Sequence, residues 1–426
     1  MISVGRMSRT FGFRPSTIVH ALIFVLRTSL SCCLPALSCP FWSAASPAEV
    51  TNQPVPFFRF RERPLEYNGP ERDEGEPRNL KEAVIGWFGP CETTNYPAGD
   101  AWWAAKLAVR EANEQGGVRG LFLRLAPRWA VDPWGTGVSQ LTRMIYTEHP
   151  LALLGSIDSP STHLAEQVVA KAQLLLISPV TTDKSVTLAG VPWMFACAPT
   201  DDVIARVLVN DVLAKLGNRK IALLNATDHE SRMTASEVVK EFSGRRRPVD
   251  FRFEVSPGAL AITSQMEALG QLRPGAVLVV AGAEDAARIV VSTRDATPGS
   301  LIFGSHSMGR ACFLRLAGRA ADGIRFPLLF VPAMDDPTTR RFVRQFKADQ
   351  AHEPDYTAAL AYDATWLLVE ALRRGGLNRA RIREAVLTLS PWNGITGMIR
   401  WDGTGQNTRT DIRMGAIRNG VVAPAD

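Results

Sequence analysis

This chain has little of what marks an enzyme, a metalloprotein or a nucleic-acid binder. Beyond the first 45 residues cysteine occurs as Cys91, Cys197 and Cys312, widely spaced and never as C-x-x-C. That pattern excludes a zinc ribbon or a thiol redox motif, and leaves the thiols as small buried hydrophobes with no essential disulfide. Six histidines are scattered without metal-ligand spacing, and H-E-x-x-H is absent. Gly304-Ser305-His306-Ser307-Met308-Gly309 sets a serine beside a histidine, but its glycines do not form a G-x-S-x-G elbow. Gly135-Thr136-Gly137 lacks the third glycine of a dinucleotide fingerprint. No basic stripe interleaved with aromatics occurs either. Arg6, Arg9, Arg14 and Arg27 alone carry +4 of the net +6, so the rest of the chain stands at +2. Enzyme activity, a metal, a cofactor and a nucleic-acid partner are therefore not expected.

What is present begins with a leader. Three arginines precede an apolar run from Ile18 to Leu37, and Ser43-Ala44-Ala45 offers a cleavage site, so residues 1–45 read as an export signal. Arg27 interrupts the run, which disfavours a permanent membrane span. Cys32, Cys33 and Cys39 leave lipoprotein anchoring open through a loose lipobox. Residues 46–81 mix Pro47, Pro54, Pro56, Pro64, Pro70 and Pro77 with charges and no sustained periodicity, the composition of a tether. The remaining length suffices for two domains, and 46% apolar with 21% charged residues is the composition of a globular protein.

From Ala83 onward, short apolar runs alternate with helical periods. Strands are expected at 83–89, 121–126, 151–155, 173–178, 220–225, 249–255, 276–281 and 300–304. Helices are expected near 100–115, 135–147, 162–172, 202–215, 230–242, 262–272, 284–294, 309–317 and 356–372. This alternation predicts α/β architecture with doubly wound parallel sheets. Two strands break into hydroxyl clusters: Leu153-Leu154-Gly155-Ser156-Ile157-Asp158-Ser159-Pro160-Ser161-Thr162, and Leu175-Leu176-Ile177-Ser178-Pro179-Val180-Thr181-Thr182-Asp183. Ligands of parallel sheets bind beyond the carboxyl ends of the strands, and hydroxyls with free N–H groups at a helix start suit a carboxylate.

Ala108-Val109-Arg110-Glu111-Ala112-Asn113-Glu114-Gln115-Gly116-Gly117-Val118-Arg119-Gly120, the Ile177-Ser178-Pro179 turn, Ala359 to Ala364, and Gly394-Ile395-Thr396-Gly397 with Ile399-Arg400-Trp401-Asp402 occur in a telling order. In that order and spacing the chain resembles the type I periplasmic binding proteins, in particular the leucine/isoleucine/valine-binding proteins that serve ABC importers. The resemblance covers about residues 82–418. It implies two Rossmann-like lobes joined by a three-crossover hinge, lobe one being 82–199 plus 332–393 and lobe two 200–331 plus 394–426. It implies a monomer that captures a small polar, carboxylated solute (an amino acid, organic acid or amide) and hands it to an ABC permease. The alternative is a sensing protein that docks on a membrane receptor without transport.

The resemblance also assigns site residues. Ser159 matches the hydroxyl that holds the ligand carboxylate. Val180 matches a carbonyl that accepts from the ligand ammonium, and Thr182 a threonine at the ligand's charged end. The second lobe departs from the pattern. His306 stands where the family has the acid that pairs with the ammonium, and Glu230 and Ala283 stand where it has aromatics. Either Glu230, Glu284 or Asp285 supplies the acid, or the ligand lacks an ammonium, the latter being preferred because an unpaired buried charge is costly.

Overall fold

The computed structural model describes residues 75–91, 99–129, 133–259 and 261–425. The expected leader, most of the tether and the loop Thr93 to Tyr96 lie outside them. The described end of the tether rests on the folded body: Leu80 packs against its core and Glu76 pairs with Arg119 at 3.1 Å.

The first half builds one sheet. Its elements are β1 (Ala83–Phe88), α1 (Gly99–Glu114), β2 (Leu123–Arg128), α2 (Val138–Glu148), β3 (Ala152–Gly155), α3 (Ser159–Ala172), β4 (Leu176–Ser178), the single turn α4 (Ser185–Leu188) and β5 (Met194–Ala196). The strands pair in the order β2-β1-β3-β4-β5, all parallel. β1, β3, β4 and β5 are buried along their whole length, which explains their unbroken apolar runs. Gly117 ends the α1 segment at φ +67°, and a Cβ there would lie 2.1 Å from the Leu121 carbonyl oxygen.

The next elements form a second sheet: α5 (Asp201–Leu216), β6 (Ile221–Ala226), α6 (His229–Gly244), β7 (Phe251–Val255), α7 (Thr263–Leu272), β8 (Ala276–Val280), α8 (Ala283–Ala296), β9 (Leu301–Gly304), α9 (Ala311–Ala317) and β10 (Arg325–Leu328). The chain then returns to the first body with α10 (Pro337–Gln350), α11 (Tyr356–Gly375), α12 (Arg379–Leu389) and the hairpin β11 (Trp392–Gly394) and β12 (Gly397–Ile399). It ends with β13 (Arg413–Arg418) and β14 (Val421–Pro424) on the second sheet, whose order is β14-β13-β10-β9-β8-β6-β7. β7 through β10 run parallel, whereas β13 and β14 pair antiparallel.

The chain thus passes between the two sheets three times. Apolar packing fixes the last passage: Ile395, Ile399, Trp401 and Ile412 are buried in the first body's core. Asp363 of α11 clasps this segment, accepting from the Ile395 N–H at 2.9 Å, the Thr396 N–H at 2.9 Å and the Thr396 hydroxyl at 2.6 Å. No described helix is long and apolar enough to cross a membrane.

Candidate functional site

The carboxyl ends of both sheets face one cavity of about 320 Å³. Its walls come from the turns after β3, β4, β6, β8 and β9 and from the start of α11. Gly155 makes the first turn: at φ +129° its backbone approaches Phe88 so closely that a Cβ would lie 2.3 Å from the carbonyl oxygen. Helix α3 begins three residues earlier than the apolar period indicated, because Asp158 caps it by accepting from the Ser161 N–H at 2.8 Å, with Pro160 in its first turn.

Ser159, fully buried at the start of α3, is where the two bodies meet. Its N–H and its hydroxyl both donate to Glu230 Oε1, each at 2.5 Å, across a sequence separation of 71 residues. A carboxyl group therefore does sit in the cradle, and it belongs to the first turn of α6. Burial pushes the Glu230 carboxyl up to about 8, the nearby Asp158 adds to the rise, and the Ser159 donors oppose it.

Four of the six expected residues line the cavity: Val180, Glu230, Ala283 and His306. Ser159 stands behind Glu230. Thr182 is not among the walls; its hydroxyl donates to Asp201 Oδ1 at 2.9 Å, and Thr234 of α6 donates to the same oxygen at 2.9 Å. Burial lifts the Asp201 carboxyl to about 7, with those two hydroxyls opposing the shift. Asp201 opens α5, where the chain first passes to the second sheet. Its pairing with Thr182 spans 19 residues of sequence, and no local motif marks it.

His306 is 8% exposed and stands edge-on to Tyr356, with ring centroids 5.5 Å apart. Burial, and next the Arg310 charge, lower its pKa to about 4, so the ring is neutral at pH 7. Its Nδ1 has no hydrogen-bond partner among the described residues. Arg310 is engaged by Asp355, with Nε 2.7 Å from Oδ2. Burial alone would raise the Asp355 carboxyl, but the Arg310 charge and the Thr357, Ala358 and Ala311 donors hold it below its usual value.

The cavity is acidic. Asp158, Asp228, Glu230, Glu284 and Asp285 line it, opposed by the already paired Arg310. Asp285 is turned partly outward, accepting from the Gly258 N–H at 3.0 Å and pairing with Arg288. Glu284 is exposed at the rim.

Two sheets joined by three passages, with a cleft between their carboxyl edges, define a bilobal solute-binding architecture. The chain belongs to a periplasmic binding protein family, whose model matches residues 82–421. It is 27% identical over 150 residues to an amino acid binding protein of Pseudomonas aeruginosa, a match spanning 35% of this chain and 40% of that protein. It is 20% identical over 304 residues to the leucine-specific-binding protein of Salmonella typhimurium, covering 71% of this chain and 81% of that protein. Its fold is similar to that of LivJ, a branched-chain amino acid transporter substrate-binding protein of Streptococcus pneumoniae solved with isoleucine. That likeness has a TM-score of 0.74 at 22% identity and covers 81% of this chain and 99% of the other. Members of this family bind solutes and are periplasmic.

Proposed function

We propose that this chain is an exported substrate-binding protein that closes two lobes on a small polar solute and delivers it to an ABC importer, without chemical turnover. In this reading residues 1–45 direct export and 46–81 tether the lobes, which act as a monomer. Lobe one is 82–199 plus 332–393, and lobe two is 200–331 plus 394–426, with the passage from Ile395 to Ile412 packed on the core of lobe one before the chain rejoins lobe two. The observation that carries the reading is the Ser159–Glu230 contact at the floor of the cleft. It joins the carboxylate cradle of one lobe to a helix start of the other, the kind of contact that favours a shut state.

The acidic lining reverses the preference for a solute without an ammonium group and supports one that carries it. Glu230 takes the part of the missing family acid. Mostly protonated without cargo, because burial lifts it to about 8, it ionises as an ammonium comes beside it, and Val180 offers its carbonyl. A carboxylate on the same solute reaches Ser159 by displacing Glu230, which makes an amino acid or a related amine the favoured cargo. His306 and Ala283 line the same cavity from the turns after β9 and β8. Calorimetry and thermal-shift measurements against amino acids, amines and amine-free organic acids test this, since a specific ligand raises the melting temperature by mass action. Amine-bearing solutes are expected to bind. Binding confined to amine-free acids would sink the ligand assignment.

A further inference from the structure

Beside the cleft, three residues far apart in sequence converge. His163 of α3 and Asp183 of the turn after β4 belong to the first body, and His229 opens α6 of the second. One ligating atom of each lies within 4.8 Å of the others. Asp183 Oδ2 is 3.0 Å from His229 Nε2 and 4.0 Å from His163 Nε2, and the two imidazole rings are perpendicular. Ligand atoms bound tetrahedrally to zinc at 2.0–2.1 Å stand about 3.3 Å apart, so small side-chain shifts bring this trio to coordination distance.

The surroundings match what a bound metal requires. Asp183 is 2% exposed and is oriented by Ser185, whose N–H donates to Oδ1 at 2.8 Å and whose hydroxyl donates to Oδ2 at 2.7 Å. Behind His163, Glu166 Oε2 lies 3.5 Å from Nδ1, the outer-shell carboxylate that commonly fixes a metal-bound histidine. Glu166 is 3% exposed, and its other oxygen has no hydrogen-bond partner among the described residues. A buried carboxylate so poorly satisfied is explained by a dication next to the ring it supports.

We propose that His163, Asp183 and His229 form a binding site for a zinc-class divalent transition metal that ties the two lobes together at the edge of the cleft. Two imidazoles and one carboxylate suit zinc, nickel or copper, and not magnesium or calcium, which take oxygen ligands. Glu166 is a positioning residue for His163. The fourth position is left to water or the Ser185 hydroxyl. The proposal is independent of the identity of the cargo.

The test uses the full chain freed of metal by a chelator, then titrated with Zn²⁺ alone and no organic solute. Calorimetry should show one site that is lost in the His163→Ala/His229→Ala double variant, whatever the leader cysteines bind. X-ray absorption should show nitrogen and oxygen neighbours without sulfur at that site. Glu166→Gln should weaken zinc at least tenfold, and Zn²⁺ should raise the melting temperature and contract the protein in solution scattering. Melting in chelator confirms that the variants fold. Equal zinc binding by the wild type and the double variant overturns the proposal. So does a site filled equally well by Mg²⁺.

Discussion

Replacing Glu230 with alanine empties the Ser159 cradle, and the structure fixes what that should do. Two hydrogen bonds of 2.5 Å end on one oxygen of Glu230, one from a backbone N–H and one from a hydroxyl. Each such bond contributes about 0.5–1.5 kcal/mol net, so the pair holds the side chain there by about 2 kcal/mol. A solute carboxylate that binds Ser159 must first overcome that amount. Glu230→Ala removes the competitor, and a carboxylate should then bind about 30-fold more tightly, since each 1.4 kcal/mol is tenfold. An amine should move the other way, because the nearest carboxyl partner is gone. The informative assay is calorimetry on a matched pair, a short alkylamine and the acid of equal length, so that the two effects do not cancel within one molecule. The helix itself should survive, because Asp228 still caps α6 by accepting from the Ser231 N–H at 2.9 Å. If the acid's affinity stays within threefold of wild type while the variant melts normally, Glu230 does not compete for the cradle and the reasoning fails.

Two further outcomes follow from contacts outside the cradle. Thr182→Val takes one of two hydroxyl donors from buried Asp201 and should cost about 1–2 kcal/mol, a fall of a few degrees in melting temperature, with solute affinity unchanged. A marked loss of affinity at unchanged stability would return Thr182 to the ligand. His352 Nε2 lies 3.4 Å from Asp100 Oδ1, and that contact first of all lifts the histidine to about 9 despite partial burial. A raised histidine pKa contributes stability that is complete below its unfolded value near 6.5 and is lost as pH rises through about 9. With the His352 side chain 42% exposed, the pair is worth about 1 kcal/mol at most. His352→Gln should therefore flatten the melting temperature between pH 6.5 and 9, and identical profiles for variant and wild type would refute the assignment.

The sequence made the alternation from Ala83 to Gly304 readable because strands such as β1, β3, β4 and β9 are apolar runs closed by glycine or hydroxyl residues, whereas β2 and β7 carry charges on alternate positions. It hid the short or irregular elements. β5 has three residues, and β10 contains Pro327, which argues against an interior strand although β10 lies between β9 and β13. Helix α10 carries many charges and buries little beyond Phe342, Val343 and Phe346. At the site, the family resemblance named Ser159 and Glu230 separately but did not join them across 71 residues. The expectation that the histidines make no metal constellation rested on linear spacing. His163, Asp183 and His229 meet only because α3 and α6 begin, and β4 ends, at the same edge, and no local motif records that.

The first turns of α6 concentrate nearly everything that joins the lobes at this edge. His229 meets Asp183, Glu230 meets Ser159 and Glu237 meets Lys184 at 2.9 Å, while Thr234 holds Asp201, which Thr182 of the first body also bonds. Residues 230, 234 and 237 recur at i, i+4 and i+7 and so share one helix face. These three side chains are polar, and each hydrogen bond they make is worth only about 0.5–1.5 kcal/mol net once exchanged for water. An apolar seam would keep the lobes shut without cargo. A polar one leaves the open and shut states close in energy, so that a solute contacting both lobes can decide between them. The helix start that fills the cradle is on this account also the element whose displacement opens it.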